Sequence, residues 1–211
     1  MKKIISLLLS VVIVISCVSV FADSDSSAKM ETVLINIKSK VDIPAEFSEF
    51  SPYAYEQNGK TYYTFEWSKE EGNGYIEVSC DEQGRINRYY FYDNSLKSEK
   101  KLTSLSKDDI IKFAQDFLTK TVPDASLDYD EESWYVSNNT YRLTFRRYVS
   151  GAEVKDNYAD LRIVVYNDIA YIRNMNVSYN YDAKWASGTP CNEGEELYKN
   201  EFPLELIYKD A

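Results

Sequence analysis

The segment Ser106–Lys120, SKDDIIKFAQDFLTK, constrains the fold more than any other stretch, because it combines a helix start signal with an apolar stripe. Ser106 and Asp109 have the S-x-x-D spacing of a capping box, and acidic residues favour the positive end of a helix. Pro123 ends the helix, since proline cannot continue it. Six apolar residues recur at helical spacing on one side: Ile110, Ile111, Phe113, Ala114, Phe117 and Leu118.

A weaker copy of this pattern lies nearer the N-terminus. Pro44 and Pro123 are 79 positions apart, and the strand-like runs TYYTF (61–65) and YRLTF (141–145) are 80 positions apart. A helix, a proline stop and a strand in the same order favour a duplication over chance. The earlier copy of the stripe consists of Met30, Val33, Leu34, Ile37 and Val41.

Alternating apolar and polar residues predict three strands after the first helix. The hairpin signal Asn58-Gly59 precedes the first of them, at Thr61–Trp67. Strands at Tyr75–Cys80 and Arg85–Tyr92 follow after short turns. Asp42–Tyr55, which contains two prolines, is expected to be a linker.

The second helix is also followed by a run of predicted strands. A loop is expected around Gly151–Asn157 and a tight turn at Asn167-Asp168. The strands themselves are predicted at Asp128–Ser137, Tyr141–Ser150, Asp160–Tyr166 and Ile169–Tyr181.

These elements predict an α+β fold of two tandem repeats, each a helix packed on a three- to four-stranded antiparallel sheet. The first repeat covers residues 28–92 and the second covers residues 106–181, with a linker at 93–105. Residues 182–211 would be an incomplete third unit or a tail, which must pack on its neighbour or fray.

Residues 1–22 have the pattern of a signal peptide. A basic start precedes the apolar segment Ile4–Val14, and Val20-Phe21-Ala22 is a small-residue cleavage site. The apolar stretch is short for a membrane anchor and lacks a basic stop. Lipidation of Cys17 is the alternative, but Val18–Ala22 stays apolar where a lipoprotein usually turns polar. We therefore expect cleavage after Ala22 and a secreted or envelope protein without a membrane span.

The charge balance narrows the classes of partner. The formal net charge is −10, and no basic patch stands out, which argues against nucleic-acid binding. A hydrophobic content of 44% and an aromatic content of 15% suit packed domains. The 19 tyrosines suit sheets with one wet face, since tyrosine joins an apolar body to a polar tip.

The sequence contains no histidine, which removes Ser-His-Asp and Cys-His catalysis and histidine-bearing zinc sites. Cys80 and Cys191 remain after cleavage at Ala22; they are either a disulfide, which export permits, or two unrelated thiols. We therefore predict no catalytic residue, no metal site and no cofactor.

Three weaker patterns have simpler explanations. Ser104-Leu105-Ser106-Lys107 matches the S-x-x-K of penicillin-recognising enzymes, but partner motifs are missing and Ser106 already caps a helix. The acidic run at 128–132 lacks the glycine and spacing of a calcium loop. Glu66 and Glu77 could face each other on adjoining strands, as in a glycosidase, but no apolar pocket is evident around them.

Several short segments together resemble a known family. They are Ile43–Phe47 (IPAEF), Gly59–Tyr62 (GKTY), Trp67-Ser68, Phe145–Gly151 (FRRYVSG), Asp160–Tyr166 and Asn167-Asp168. These residues resemble the YcdB/YcdC repeat of exported Gram-positive bacterial proteins, which is related to PepSY domains. The family's usual glycine in the final turn is absent, since Asp168 runs directly into Ile169. The likeness covers about residues 28–209 and implies two helix-on-sheet repeats with a clipped third.

The resemblance also implies a function without catalysis. Family members are typically exported proteins without an established activity, and PepSY relatives occur in propeptides of secreted metallopeptidases, with a proposed inhibitory or chaperoning role. We expect a non-enzymatic cell-envelope protein that binds a protein or peptide or modulates a secreted peptidase, for example by adding a strand to a sheet edge.

Two alternatives stay open from the residues alone. Tyr89, Tyr90, Phe91 and Tyr92 must point to both sheet faces, so two of them should lie away from the helix and could stack on wall glycan. Contact between the repeats would explain the same tyrosines. A carboxylate-dependent hydrolase is the other alternative.

Overall fold

The computed structural model describes residues 24–96, 104–137, 139–149 and 151–181. Those ranges contain two α-helices, α1 (Ser24–Lys40) and α2 (Lys107–Thr121). The strands are β1 (Glu49–Gln57), β2 (Lys60–Ser68), β3 (Gly74–Asp81), β4 (Ile86–Asp93), β5 (Asp128–Tyr129), β6 (Tyr135–Ser137), β7 (Thr140–Val149), β8 (Ala152–Tyr166) and β9 (Ile169–Ser178). They form one antiparallel sheet with the strand order β1-β2-β3-β4-β9-β8-β7-β5. The short strand β6 pairs with β7 beside β5.

Helix α2 forms where its local signals predict it. The Ser106 hydroxyl accepts a hydrogen bond from the Asp109 backbone N–H at 3.1 Å, and the Asp109 carboxylate accepts one from the Ser106 N–H at 2.9 Å. The capping box is therefore confirmed. Ile110, Ala114 and Leu118 are buried along one side, as the stripe predicts.

Helix α1 buries the weaker stripe and contacts the turn between β3 and β4. The Lys40 ammonium donates to the Gly84 carbonyl at 3.0 Å. Gly84 has a φ of +72°, and a Cβ there would lie 2.8 Å from the Asn36 amide nitrogen. Only glycine combines that backbone conformation with so close an approach of the helix.

The two halves of the chain join in the middle of one sheet. After α1 the chain runs through β1 to β4, and after α2 it runs through β5 to β9. Strands β4 and β9 then pair antiparallel through Arg88–Asn176, Tyr89–Met175 and Tyr90–Asn174. The α+β prediction, with helices packed on antiparallel strands, is confirmed. The two separate sheets that we expected are one continuous sheet.

Both helices pack on the same face of this sheet. Phe65 of β2 lies opposite Val78 of β3, and both side chains are fully buried in a core that includes residues of α1 and α2. The Thr121 hydroxyl of α2 lies 3.8 Å from the Met175 sulfur, next to the pairing of β4 with β9. The residues that alternate with these core residues point to the opposite side of the sheet, which we call the open face. Neither α1 nor α2 covers it.

The hairpin turns agree with their sequence signals. Asn58 and Gly59 connect β1 to β2 with φ values of 54° and 71°, and Asn167 and Asp168 connect β8 to β9 with φ values of 51° and 61°. Two consecutive residues with positive φ match the twist of antiparallel strands. Asp168 adopts this conformation without the family's usual glycine.

Three local expectations are wrong. The second half of the expected linker Asp42–Tyr55 is strand, because Glu49–Gln57 forms β1. Pro52 opposes Phe65 there on an edge strand, which tolerates a missing N–H. The expected loop at Gly151–Asn157 belongs largely to β8, whose pairing with β7 is offset between Arg146 and Tyr148. The expected strand Asp128–Ser137 is interrupted by a 3-10 turn at Glu131–Ser133.

Several sequence expectations fall outside the described residues. They are the signal peptide at 1–22, the lipidation of Cys17, the position of Cys191 and the unit or tail at 182–211. None of the helices within the described ranges is long and apolar enough to cross a membrane.

The pairing of β4 with β9 yields a stability prediction. Replacement of the fully buried Met175 by alanine (Met175→Ala) should lower the free energy of unfolding by about 2–5 kcal/mol, because it opens a cavity where both halves meet. Urea unfolding measures this loss. The volume-conserving control Met175→Leu should cost less than about 1.5 kcal/mol. Equal stability of the two variants would contradict this account of the core.

Candidate binding surface on the open face of the sheet

One row of residues crosses the open face from edge to edge, because the strand register aligns one residue from each long strand. We call it the open-face row: Ser51, Glu66, Glu77, Tyr90, Asn174, Arg162, Arg142 and Tyr135. Neighbouring strands lie about 4.8 Å apart, so the row is about 30 Å long. It carries two adjacent acids in the first half and two adjacent arginines in the second.

The acidic pair is the one that the sequence suggested as a possible catalytic dyad. Glu66 and Glu77 are direct cross-strand neighbours, so the expectation that they face each other is confirmed. The Arg88 Nε lies 3.5 Å from a Glu77 carboxylate oxygen, which makes Glu77 part of an ion pair. Neither glutamate lines the two grooves described below.

A cluster of tyrosines occupies the middle of the open face. Tyr75 and Tyr90 stack with ring centroids 5.3 Å apart, and Tyr92 lies 5.9 Å from Tyr75. The Arg173 guanidinium lies 4.9 Å from the Tyr92 ring centre and donates to the Tyr90 hydroxyl at 3.3 Å. Burial raises the pKa of the Tyr75 phenol, and the neighbouring Tyr90 raises it further. These contacts hold the aromatic side chains in place.

The four consecutive aromatic residues of β4 divide between the two faces as predicted. Tyr89 and Phe91 are buried in the core, where Tyr89 contacts Phe117 of α2 edge-on with ring centroids 5.2 Å apart. Tyr90 and Tyr92 lie on the open face and are half-buried.

The arginine pair lies in a groove of about 660 Å³. Arg142 of β7 and Arg162 of β8 are direct cross-strand neighbours, and the Arg142 guanidinium lies 5.6 Å from the Tyr135 ring centre. The Arg162 Nε is buried and has no hydrogen-bond partner within the part of the chain that the structure describes. Like charges placed directly opposite each other destabilise a sheet. A buried donor without an acceptor also destabilises the folded state, by about 1–3 kcal/mol.

Three other charged side chains in this groove, Arg146, Asp130 and Asp160, have hydrogen-bond partners. Arg146 donates to Asp130 at 2.8 Å and to Glu153 at 2.7 Å, and the Thr144 hydroxyl donates to Asp160 at 2.7 Å. Arg142 and Arg162 differ from Arg146, since neither makes an ion pair with any residue in the described ranges. The groove therefore contains two arginines that make no ion pair with any described residue.

A second groove, of about 870 Å³, lies where the β3–β4 turn approaches the ends of β8 and β9. Asp81, Arg85, Asn157 and Tyr181 contribute to its lining, and the Arg85 guanidinium lies 4.6 Å from the Tyr181 ring centre. Its lining consists mainly of turn and strand-end residues. It therefore lies away from the open-face row.

The sheet edges offer little room for strand addition. On β1, Pro52 has no N–H to donate, so a bound strand would lose a hydrogen bond in the middle of this edge. At the other edge, β5 has two residues and β6 three, with a 3-10 turn between them. Neither edge presents a long uninterrupted ladder.

The remaining candidate residues have structural roles or stay untested. Ser106 caps α2, which accounts for the S-x-x-K match. Asp130 of the acidic run pairs with Arg146, and the described residues contain no cluster of acids and cysteines that could hold a metal. Burial raises the pKa of the Cys80 thiol to about 12. Because Cys191 lies outside the described residues, the disulfide stays a prediction.

Comparison with known proteins identifies the family. The model of the YcdB, YcdC repeated domain matches residues 30–172, a range that includes α2 and reaches from α1 into β9. The chain belongs to this family. The match runs through both halves of the chain, so it does not by itself divide them into two repeats. No curated protein matches the sequence significantly.

One solved structure supports a PepSY-like fold. The chain is similar to the Bacillus megaterium YpeB C-terminal domain, with a TM-score of 0.51 and 12% sequence identity. The superposition covers 70% of this chain and 62% of that one. At this identity the likeness concerns the fold alone. The recognition of the family and of its fold from the sequence is confirmed.

The tyrosine cluster yields a prediction about pH. Because the folded chain raises the pKa of Tyr75, its contribution to stability is complete below the ordinary tyrosine pKa of about 10 and is lost as the pH rises through the raised value. Tyr75→Phe should therefore lose less stability than the parent chain between neutral and alkaline pH. Urea unfolding at several pH values measures this.

The absorbance of tyrosinate provides the control for that experiment. Tyr75→Phe should remove one late-ionising tyrosine from the titration, whereas Tyr53→Phe, at an exposed position on β1, should leave it in place. An unchanged late phase in Tyr75→Phe would contradict the assignment.

Proposed function

We propose that this protein is a non-enzymatic binding module of the bacterial cell envelope, which recognises a protein or an extended peptide on the open face of its sheet. The observation that carries the proposal is a sheet face that neither α1 nor α2 covers, which displays fixed tyrosines and two arginines without an ion pair among the described residues. Tyrosine and arginine are enriched at the centres of protein interfaces, and they dominate the binding energy there. The family assignment and the lack of histidine agree with a role without catalysis.

The dimensions of the open face suit a polypeptide. An extended chain rises about 3.3 Å per residue, so the open-face row could contact roughly nine residues of a bound segment. Tyr75 already stacks on Tyr90 and contacts Tyr92 with a tilted ring, which reduces the side-chain entropy lost on binding. Because neither sheet edge presents a long uninterrupted ladder, we favour binding on the face over the addition of a strand to an edge.

The charge pattern favours a polypeptide over a neutral glycan. Glu66 and Glu77 at one end of the row and Arg142 and Arg162 at the other would complement a segment that carries both charges. A wall glycan remains the alternative, supported by Tyr55 and Tyr62, whose stacked rings lie 5.5 Å apart beside the exposed Tyr53. A carboxylate-dependent hydrolase is disfavoured, because Glu66 and Glu77 line neither groove.

The proposal includes the finer organisation expected from the sequence. We propose export through residues 1–22 and a duplication that relates residues 28–92 to residues 106–181, joined by residues 93–105. The duplication is supported by the same order in each half, a helix followed by antiparallel strands whose last strand lies at the centre of the sheet. The resemblance to PepSY domains makes a secreted peptidase our first choice of partner.

Site-specific photo-cross-linking tests the proposed binding face. A photoreactive side chain at Tyr53 or Tyr135, both on the open face, should form adducts with the same envelope protein. The matched control is Ile35, which is 65% exposed on α1, on the other side of the sheet. Mass spectrometry of the adducts identifies the partner. Absence of adducts at both tyrosines, or the same adducts at Ile35, would reject the proposal.

Purified wall fragments test the glycan alternative directly. Their titration, followed by intrinsic tyrosine and tryptophan fluorescence, should give no saturable change if the partner is a protein. A saturable change that Tyr53→Ser and Tyr55→Ser abolish would favour the glycan instead.

A further inference from the structure

We propose that Arg142 and Arg162 form a subsite that binds an aspartate or glutamate carboxylate of the peptide segment recognised by the open face. This assignment rests on the proposed function and specifies one chemical group of the partner. It starts from the one place on the open face where two unfavourable features coincide. Arg142 and Arg162 are like charges in direct register, and the Arg162 Nε–H is buried without a hydrogen-bond acceptor in the described ranges.

A carboxylate would relieve the repulsion between the two arginines. The side chains of direct cross-strand neighbours have Cβ atoms about 5 Å apart, which allows two guanidinium groups to bind one carboxylate. Guanidinium groups bind carboxylates through paired, charge-assisted hydrogen bonds. A negative charge between Arg142 and Arg162 would also replace their repulsion by attraction.

The surroundings of the pair would hold it ready for this ligand. The Tyr135 ring lies 5.6 Å from the Arg142 guanidinium and can support it through a cation–π contact. Arg146 makes its ion pairs with Asp130 and Glu153. Asp160 lies two residues before Arg162 on the same face of β8. It accepts a hydrogen bond from Thr144 and makes no ion pair with Arg162.

The same groove favours a peptide over a phosphate polymer. Asp130, Glu132 and Asp160 also line it, and the whole chain has a net charge of −10, so a polyanion would meet repulsion around the arginine pair. A single carboxylate meets far less repulsion. Asn174 and Asn176 line the groove beside Arg162 and can both donate to and accept from a peptide backbone.

NMR spectra that resolve the arginine Nε–H groups provide the test. The probes are a short glycine peptide with two glutamates, acetylated and amidated at its ends, and its counterpart with two glutamines. The glutamate peptide should shift the Arg162 Nε–H signal saturably, and the glutamine peptide should not. This comparison uses the unaltered chain, so it does not depend on the folding of a variant. Equal shifts from both peptides, or no shift, would overturn the assignment.

Variants locate the effect on the arginine pair. Arg142→Gln should weaken binding of the glutamate peptide by about tenfold or more, as expected for the loss of a charged hydrogen-bond donor. The matched control Arg85→Gln removes an arginine that pairs with Asp81 in the second groove, away from the open-face row, and it should change the affinity less than about twofold. Equal effects of the two substitutions would overturn the assignment.

Two phosphate probes test the source of the anion. Inorganic phosphate and poly(glycerol phosphate) should each require a higher concentration than the glutamate peptide to shift the Arg162 signal. Saturation by either at a lower concentration would overturn the assignment to a peptide carboxylate.

The cross-linking experiment separates this subsite from the wider proposal. If the adducts at Tyr53 and Tyr135 form unchanged in Arg142→Gln, and the Arg162 signal ignores the glutamate peptide, the carboxylate subsite is wrong while the binding face stands. If the unaltered chain forms no adducts at either tyrosine, the binding face itself is wrong.

Discussion

The pairing of β4 with β9 is the constraint on which the rest of the structure depends. It consists of three residue pairs, and it joins two strands that lie in different halves of the chain. Because this pairing makes one sheet of both halves, both helices pack on the same side, where Met175 and Tyr89 lie in the shared core. Neither of the two described helices covers the other side of the sheet. The fold thus creates its candidate binding surface by the way in which it closes its core.

The elements that the sequence predicts well are those specified by neighbouring residues. The capping box and stripe of α2 and the turns at Asn58-Gly59 and Asn167-Asp168 depend on contacts within a few positions, so the sequence reveals them directly. The sequence does not predict β1, because a proline such as Pro52 normally indicates a linker. Pro52 is compatible with a strand only because β1 lies at the edge of the sheet. The pairing of β4 with β9 has no local signal at all.

The same distinction applies to the candidate site. The division of Tyr89 to Tyr92 between the two faces follows from alternation alone, and the facing of Glu66 and Glu77 was anticipated from the predicted strands. The arginine pair was not anticipated, because it depends on the register of β7 against β8 and on a buried Nε atom. A single arginine in an alternating strand does not indicate which residue will lie opposite it. Arg142 and Arg162 place like charges opposite each other and leave a buried donor without an acceptor. Such departures from the usual rules of sheet structure tend to mark functional sites.

Pro52 has a consequence for how copies of the chain meet one another. Exposed sheet edges are templates on which identical chains can polymerise. A proline in the middle of β1 and the 3-10 turn at Glu131–Ser133 interrupt that template on both sides of the molecule. These two interruptions hinder edge-to-edge growth into a fibre, even though tyrosines such as Tyr53 and Tyr135 are exposed at the surface of the described sheet.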